Sequence, residues 1–471
     1  KTLSGIIILQ IMRQNTLSGE NALTQGKIFP ALMRFAIPFL VANFLQQLYG
    51  AVDLLVVGQF CDTAAVSAVS TGSQVMKTIT GIVTGLATGT TVLVGQYIGA
   101  GRREDAAKTV GSTAVLFVIV AAVLTVVMLL LTRQVAVVMQ APAEAFDQTV
   151  DYIFICSVGI VFIVGYNAVS GILRGMGDSK SPMYFVIVAT VVNVGLDLLF
   201  VAVFDMKAAG AAYATVIAQA CSFIFAVIWL RVKGMGIGFG KKDLRLDRRK
   251  TKGILRFGTP VALQEALVNI SFLIITAILN GKGLVASAAV GVVEKVICFA
   301  VLPITAFSMA ISAMTAQNVG AGKPERGKKC MVYGILFTAA VEAVVVLFVE
   351  LGGGPLLLGI FSTDAEVISQ GFLYMRSYIL DCLLLCAVFC MNGFFNGCGK
   401  TFFTMAHSLF ATFVIRVPLA WLFSSLESMG MFEIGLAAPV ATAVSIALCL
   451  IYMKSGRWKN YNTDKKEADL L

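Results

Sequence analysis

Charge is the scarcest thing in this chain. Of its 471 residues only 13% are Asp, Glu, Lys or Arg, against about a quarter in a soluble globular domain. So few ionic groups cannot clothe a water-soluble surface for a chain this long, which excludes a soluble multidomain enzyme. Histidine is scarcer still, with His407 the only one. An HExxH zinc site and a paired-histidine dyad are therefore impossible, and His407 reads as a hydrogen-bonded helix residue. There is no GxSxG elbow and no phosphate-binding P-loop, so neither a serine hydrolase nor an ATP-driven pump has support. With no nucleophile–base or metal constellation, neither an enzyme nor a cofactor is expected. The ten cysteines form no CxxC pair and mostly fall in apolar runs. Cys382, Cys386 and Cys390, spaced i, i+4, share one helix face and read as small packing residues, not as a metal site. The apolar run in residues 1–11 is too short for a cleaved signal peptide, and Met12 reads as a plausible native start.

What is abundant is apolar. Hydrophobic residues make up 58% of the chain and the mean hydropathy is +0.87. A membrane span needs about 20 predominantly apolar residues. Three segments meet this without any charge, 110–132, 208–230 and 434–453. Nine more carry one or two polar residues. The pattern predicts twelve spans: 30–58, 64–97, 108–132, 147–174, 183–204 and 208–231, then 254–280, 285–317, 330–351, 367–396, 402–424 and 433–454. The expected fold is an all-α membrane protein.

The net charge of +10 sits in short loops, where it marks topology and anionic-lipid contact rather than a nucleic-acid surface. The loops 98–108, 174–182, 231–256 and 320–329 are basic, whereas 59–63, 352–366 and 425–433 contain no Lys or Arg. This alternation places both termini and the 231–256 loop in the cytoplasm of a multi-pass inner-membrane protein.

The chain is also written twice. Arg34-Phe35-Ala36-Ile37-Pro38 recurs as Arg256-Phe257-Gly258-Thr259-Pro260, GQYIGAG (95–101) as AQNVGAG (316–322), and GILRGMG (171–177) as GFFNGCG (393–399). The offsets are 222, 221 and 222 residues. Six spans per half insert both halves the same way round, giving two six-helix lobes related by an internal parallel repeat. The expected divisions are an N-terminal tail (1–26), a first lobe (27–231), a basic linker (232–252), a second lobe (253–455) and a solvated C-terminal tail (456–471). A ligand cavity between the lobes, open alternately to either side, is the expected architecture. Gly81, Gly85 and Gly89, four apart, suit close helix packing. The 32 Phe and 18 Met suit a promiscuous pocket as well as lipid-facing helices.

Two acids stand against the apolar background: Asp53 in NFLQQLYGAVDLLVVG (43–58) and Asp197 in YFVIVATVVNVGLDLLFVAVF (184–204). An ionisable group at bilayer depth costs roughly 2.5–3.5 kcal/mol on insertion scales and marks a functional position. Asn193 and Asp197, at i, i+4, share a helix face. Asn43, Gln46, Gly50 and Asp53 form a polar and small stripe suited to a cavity wall. Two nearby buried carboxyls can take up a proton, or, ionised, ligate a hard cation such as Na+; the residues leave both open. The second half does not duplicate the pair, because Ile275 and Leu419 stand at the offset positions. It carries Glu265, Glu294, Glu342, Asp381 and Arg416 instead. Glu265 and Asp381 either contact substrate or cation or pair with Lys295, Arg376 or Arg416, and Lys77 either pairs or reaches an interface.

RFAIPFLVANFLQQLYGAVDLLVVGQF (34–60), GQYIGAGRREDA (95–106), GILRGMGDSKSPM (171–183), NVGLD (193–197) and AQNVGAGKPERG (316–327) resemble the prokaryotic multidrug and toxic compound extrusion (MATE) family over 27–455. The resemblance implies a cation-coupled antiporter, H+ or Na+ against hydrophobic, often cationic drugs, working by alternating access, and a monomer whose other partners are membrane lipids. By motif position it implies a cation site of Asp53, Asn193, Asp197 and Thr215. Asn43 and Gln46, from their stripe on the first helix, and Glu265 and Asp381, as acids within second-half spans, are candidate cavity residues on their own placement and not by transfer. The same superfamily includes flippases of lipid-linked precursors, the alternative reading; a polytopic membrane enzyme is the third.

Overall fold

The structure, a computed structural model, describes residues 23–426 and 428–459. All of its regular structure is helical. Among the described residues ten helices are long and apolar enough to span a membrane, and two bent pairs, each taken as one span, bring the total to twelve. We number them α1 (Ile28–Phe60), α2 (Thr63–Gly99), α3 (Arg103–Val138), α4 (Ala143–Val158 with Ile160–Met176), α5 (Lys180–Val203) and α6 (Lys207–Lys233). The second lobe holds α7 (Arg248–Asn280), α8 (Val285–Ala300 with Leu302–Gly320), α9 (Pro324–Gly359), α10 (Ala365–Gly397), α11 (Thr401–Ser425) and α12 (Met431–Lys454).

The two bends have local causes. α4 turns by 48° at Gly159, where a missing side chain lets the helix break. α8 turns by 43° just ahead of Pro303, whose absent N–H fits the first turn of the following segment. Pro38 and Pro260 lie inside α1 and α7 at equivalent repeat positions. A proline frees the carbonyl four residues back. In α7 that is Arg256 O, which accepts from Thr401 Oγ1 at 3.5 Å.

The repeat is visible in the backbone. Gly101 and Gly322 close the two GAG turns at φ 72°, and Gly177 and Gly399 follow α4 and α10 at φ 88° and 70°. This left-handed region is open to glycine at little cost, which explains why both motifs recur with it. The segments ahead of α1 and α7 dock rather than dangle. Arg326 donates to the Gln25 and Gly26 carbonyls at 2.6 and 2.8 Å, and Asn318 to Leu23 O at 3.1 Å. Lys250 reaches Asp105 at 2.7 Å and the Tyr97 hydroxyl at 2.8 Å, while Arg102 also holds Asp105 at 2.7 Å.

Thus residues 23–26, expected as part of a tail, are held by the second lobe. At the other end Trp458, within the stretch expected to be solvated, is 2% exposed and packs edge-on against Phe394. The rest of both tails, 1–22 and 460–471, lies outside the described residues. In the α4–α5 loop Asp178 accepts from Lys233 at 2.7 Å and from Ser181 Oγ at 2.6 Å. Burial works against its charge, but these donors outweigh burial and hold the carboxyl below its ordinary range.

The lobes meet along α2, α7 and α8 on the side of the basic loops. An added Cβ at Gly85 would stand 2.6 Å from Ala262 Cα, and one at Gly89 would strike the α7 backbone at Gly258. Small residues here let the helices touch. One at Gly99 would overlap the Gln317 carbonyl, and one at Gly320 would overlap that of Gln96. The glutamines also cross the seam reciprocally: Gln96 Nε2 donates to Gly397 O at 3.1 Å and Gln317 Nε2 to Gly175 O at 2.9 Å. Both acceptors lie at helix C-termini, where carbonyls lack intrahelical donors. Higher up, at Gly81, an added Cβ would meet Asn269 and Glu265 at 3.9–4.0 Å, a looser contact than at Gly85 or Gly89.

Candidate functional site

Three helices of the first lobe bring four of the expected residues together. α1 presents Asp53, α5 presents Asn193 and Asp197 one turn apart, and α6 presents Thr215. Asp53, Asn193 and Asp197 are 5%, 1% and 0% exposed. Thr215 Oγ1 donates to Asp53 Oδ2 at 3.4 Å. The Asp197 carboxyl and the Asn193 amide adjoin Asp53. A π-helical turn, Leu198–Val203, follows Asp197 directly; such turns recur at functional sites. Tyr49 lies beside Asp53 on α1, and Tyr152 and Cys156 of α4 close the floor.

The polar groups here are under-satisfied. Asp53 Oδ1, both Asp197 oxygens and both polar atoms of Asn193 have no hydrogen-bond partner among the described residues. No Lys or Arg among those residues pairs with either acid. Two adjacent buried carboxyls without a counter-ion cannot both carry charge. One proton shared between them satisfies the pair. Carboxylate, amide and hydroxyl oxygens are also hard donors of the kind Na+ takes, although no cluster of three or more His, Cys, Asp or Glu suited to a metal occurs among the described residues.

The remaining candidates stand elsewhere. Asn43 donates across the lobe boundary to Thr305 Oγ1 at 3.4 Å, and Gln46 is half-buried on the same helix. Glu265 is solvent-exposed and faces Gly81 of α2 across the lobe boundary. Asp381 is 3% exposed and lies beside Thr442 of α12. Neither takes one of the expected ion-pair partners. Arg376 is bound to Glu350 at 2.9 Å, Lys295 sits over the Phe361 ring, and Arg416 donates to the Tyr378 hydroxyl at 2.9 Å while stacking on Phe272. Lys77 is exposed and lies near Glu294. His407 bridges α11 to α10 and α12 through Asn392 and Ser445, each at 2.8 Å, and Cys382, Cys386 and Cys390 are buried on one face of α10.

The sequence reading missed the crossing glutamines, although Gln96 and Gln317 recur at the repeat offset and carried the signal. Lys250, at the start of a span, carried none.

Twelve spans among the described residues, in two like lobes with a buried acid pair in one, define a multi-pass membrane transporter. The MatE family profile matches twice, over residues 38–199 and 260–422, with starts 222 residues apart (38 against 260), the offset of the repeat. The chain belongs to the MatE family. It is 28% identical over 446 residues to the probable multidrug resistance protein YoeA of Bacillus subtilis, covering 92% of this chain and 96% of that protein. Its fold is shared, at TM-score 0.89 and 24% identity, with a MOP superfamily transporter from Pyrococcus furiosus over 94% of this chain and 99% of that one. An outward-facing multidrug resistance MATE transporter superposes at TM-score 0.87 with 23% identity, over 94% and 98% of the two chains.

Proposed function

We propose that this protein exports hydrophobic, often cationic drugs or toxic compounds in exchange for an inward-moving cation, with Asp53, Asn193, Asp197 and Thr215 as the coupling site. The observation that carries the reading is the orphaned, counter-ion-free carboxyl pair in the first lobe. It favours H+ over Na+, because a single proton satisfies the pair with the groups already present. The YoeA relative supports multidrug export as the cargo class.

The seam lies on the side of the basic loops. With those loops in the cytoplasm of the inner membrane, the cleft opens outward and Glu265 lines it. Asn43 and Gln46 lie on the first-lobe side of the boundary, where Asn43 reaches Thr305, and Asp381 lies deeper, inside the second lobe. Protonation of the acid pair and occupation of the cleft by drug then favour different arrangements of the lobes, so each shifts the population the other needs. The membrane potential adds about 2.3 kcal/mol per charge per 100 mV. The lobes are assigned to 27–231 and 253–455, joined by the linker 232–252. An acid-bearing cleft suits cationic drugs better than the anionic headgroups of lipid-linked precursors.

The test is efflux of a cationic dye from proteoliposomes under separately imposed H+ and Na+ gradients. Efflux driven by H+ and lost in Asp53→Asn and Asp197→Asn, with both variants folded, supports the assignment. Efflux driven by Na+ alone replaces the proton by sodium. Unaltered efflux in both variants sinks the site.

A further inference from the structure

Between residues 330 and 349 the apolar run of α9 carries one charge, Glu342. Its side chain is 0% exposed, and neither carboxyl oxygen has a hydrogen-bond partner among the described residues. The groups facing it come from α10: the thiols of Cys382 and Cys386. One turn earlier on its own helix, Thr338 spends its hydroxyl on Gly334 O at 2.8 Å. Among the described residues no Lys, Arg or His pairs with it; nearer the start of α9, α8 packs on Gly334 and Phe337 through Ile311 and Phe307, and α1 on Phe337 through Phe29.

An ionised carboxylate without donor or counter-ion is not tenable in a membrane interior, whereas a neutral carboxylic acid is. The environment is also connected. Asp381 adjoins the same Cys382, and its Oδ1 is likewise unpartnered. Asp381 in turn faces Arg416, the half-buried guanidinium near Glu294 and Lys77. Neighbouring polar groups therefore lead from the interior of the second lobe toward the half-buried Arg416: Glu342, Cys382, Asp381, Arg416. The first lobe has no equivalent, because Val120 stands 222 residues before Glu342.

We propose that Glu342 is a second proton-binding site, held protonated in this conformation. It exchanges its proton with the cleft through Asp381 when α9 and α10 repack. Binding forms the O–H bond on one Oε; release passes the proton to the Asp381 carboxylate and on to cleft water. The protonation stands on the geometry alone, whereas its use in transport rests on the antiport reading above.

The experiment is infrared spectroscopy of the protein in nanodiscs, comparing wild type, Glu342→Gln and Glu342→Asp. A protonated-carboxyl C=O stretch should be present in wild type, absent in Glu342→Gln, shifted in Glu342→Asp and unmoved by Asp53→Asn. A spectrum unchanged by Glu342→Gln overturns the proposal. Should that variant not fold, an unshifted band in Glu342→Asp overturns it equally. In proteoliposomes Glu342→Gln should lower the number of protons exchanged per drug. An unchanged ratio with the band lost refutes the role in transport. If antiport itself fails in wild type, the infrared result still decides the protonation.

Discussion

The reciprocal glutamines make the seam the place to perturb. Replacing Gln96 with Ala removes the donor to Gly397 O, and Gln317→Ala removes the donor to Gly175 O. Each bond contributes about 0.5–1.5 kcal/mol net. When the seam opens, both partners reach water, so the loss falls on the closed arrangement only. The sites share no partner, so their effects should add. The double variant therefore loses about 2 kcal/mol of seam stability, a roughly 30-fold shift toward lobes parted on the basic-loop side. Double electron–electron resonance reads this directly, with one spin label in each loop that follows a GAG turn. Wild type should give one short distance, each single variant a modest and equal fraction of a longer one, and the double variant a majority of it. A distance distribution unchanged in a folded double variant refutes the reasoning, as do single variants with opposite effects.

Gly89→Leu forces a side chain into the α7 backbone at Gly258; overpacking costs about 1–3 kcal/mol, and the same labels should show the seam held apart. Lys250→Met strips one partner from Asp105 but leaves Arg102; thermal unfolding should come earlier, by less than the about 3–5 kcal/mol expected when a buried acid is left wholly unpaired. Asp178, with its pKa depressed in the folded protein, contributes stability above its unfolded pKa that is lost as pH falls through the folded one. In Asp178→Asn, denaturation midpoints measured down an acid series should lose that slope.

Much of this architecture is legible in the sequence alone. Span count follows from hydropathy, because lipid demands continuous apolar helices. The two-lobe arrangement follows from three motifs at one offset, and the acid pair from two charges where charge is costly. What escapes is set by tertiary geometry. Nothing in CSVGI (156–160) announces a 48° bend at Gly159 when so many other glycines leave helices straight. Arg376 takes Glu350 and Arg416 takes a tyrosine, choices that depend on where side chains from distant helices end. Trp458 lies in a stretch that reads as a polar tail, yet its indole N–H donates to Met453 O at 3.1 Å and anchors the chain past α12.

The seam has the contacts of a symmetric homodimer interface, with the same patch on both partners: Gly99 on Gln317 and Gly320 on Gln96, each glutamine crossing to the other half. The two halves keep both copies of the closure while their interiors differ: Asp53 and Asp197 stand in one half, and Ile275 and Leu419 fill those places in the other. Chains cut within 234–247 and co-expressed as halves should therefore reassemble through the seam alone.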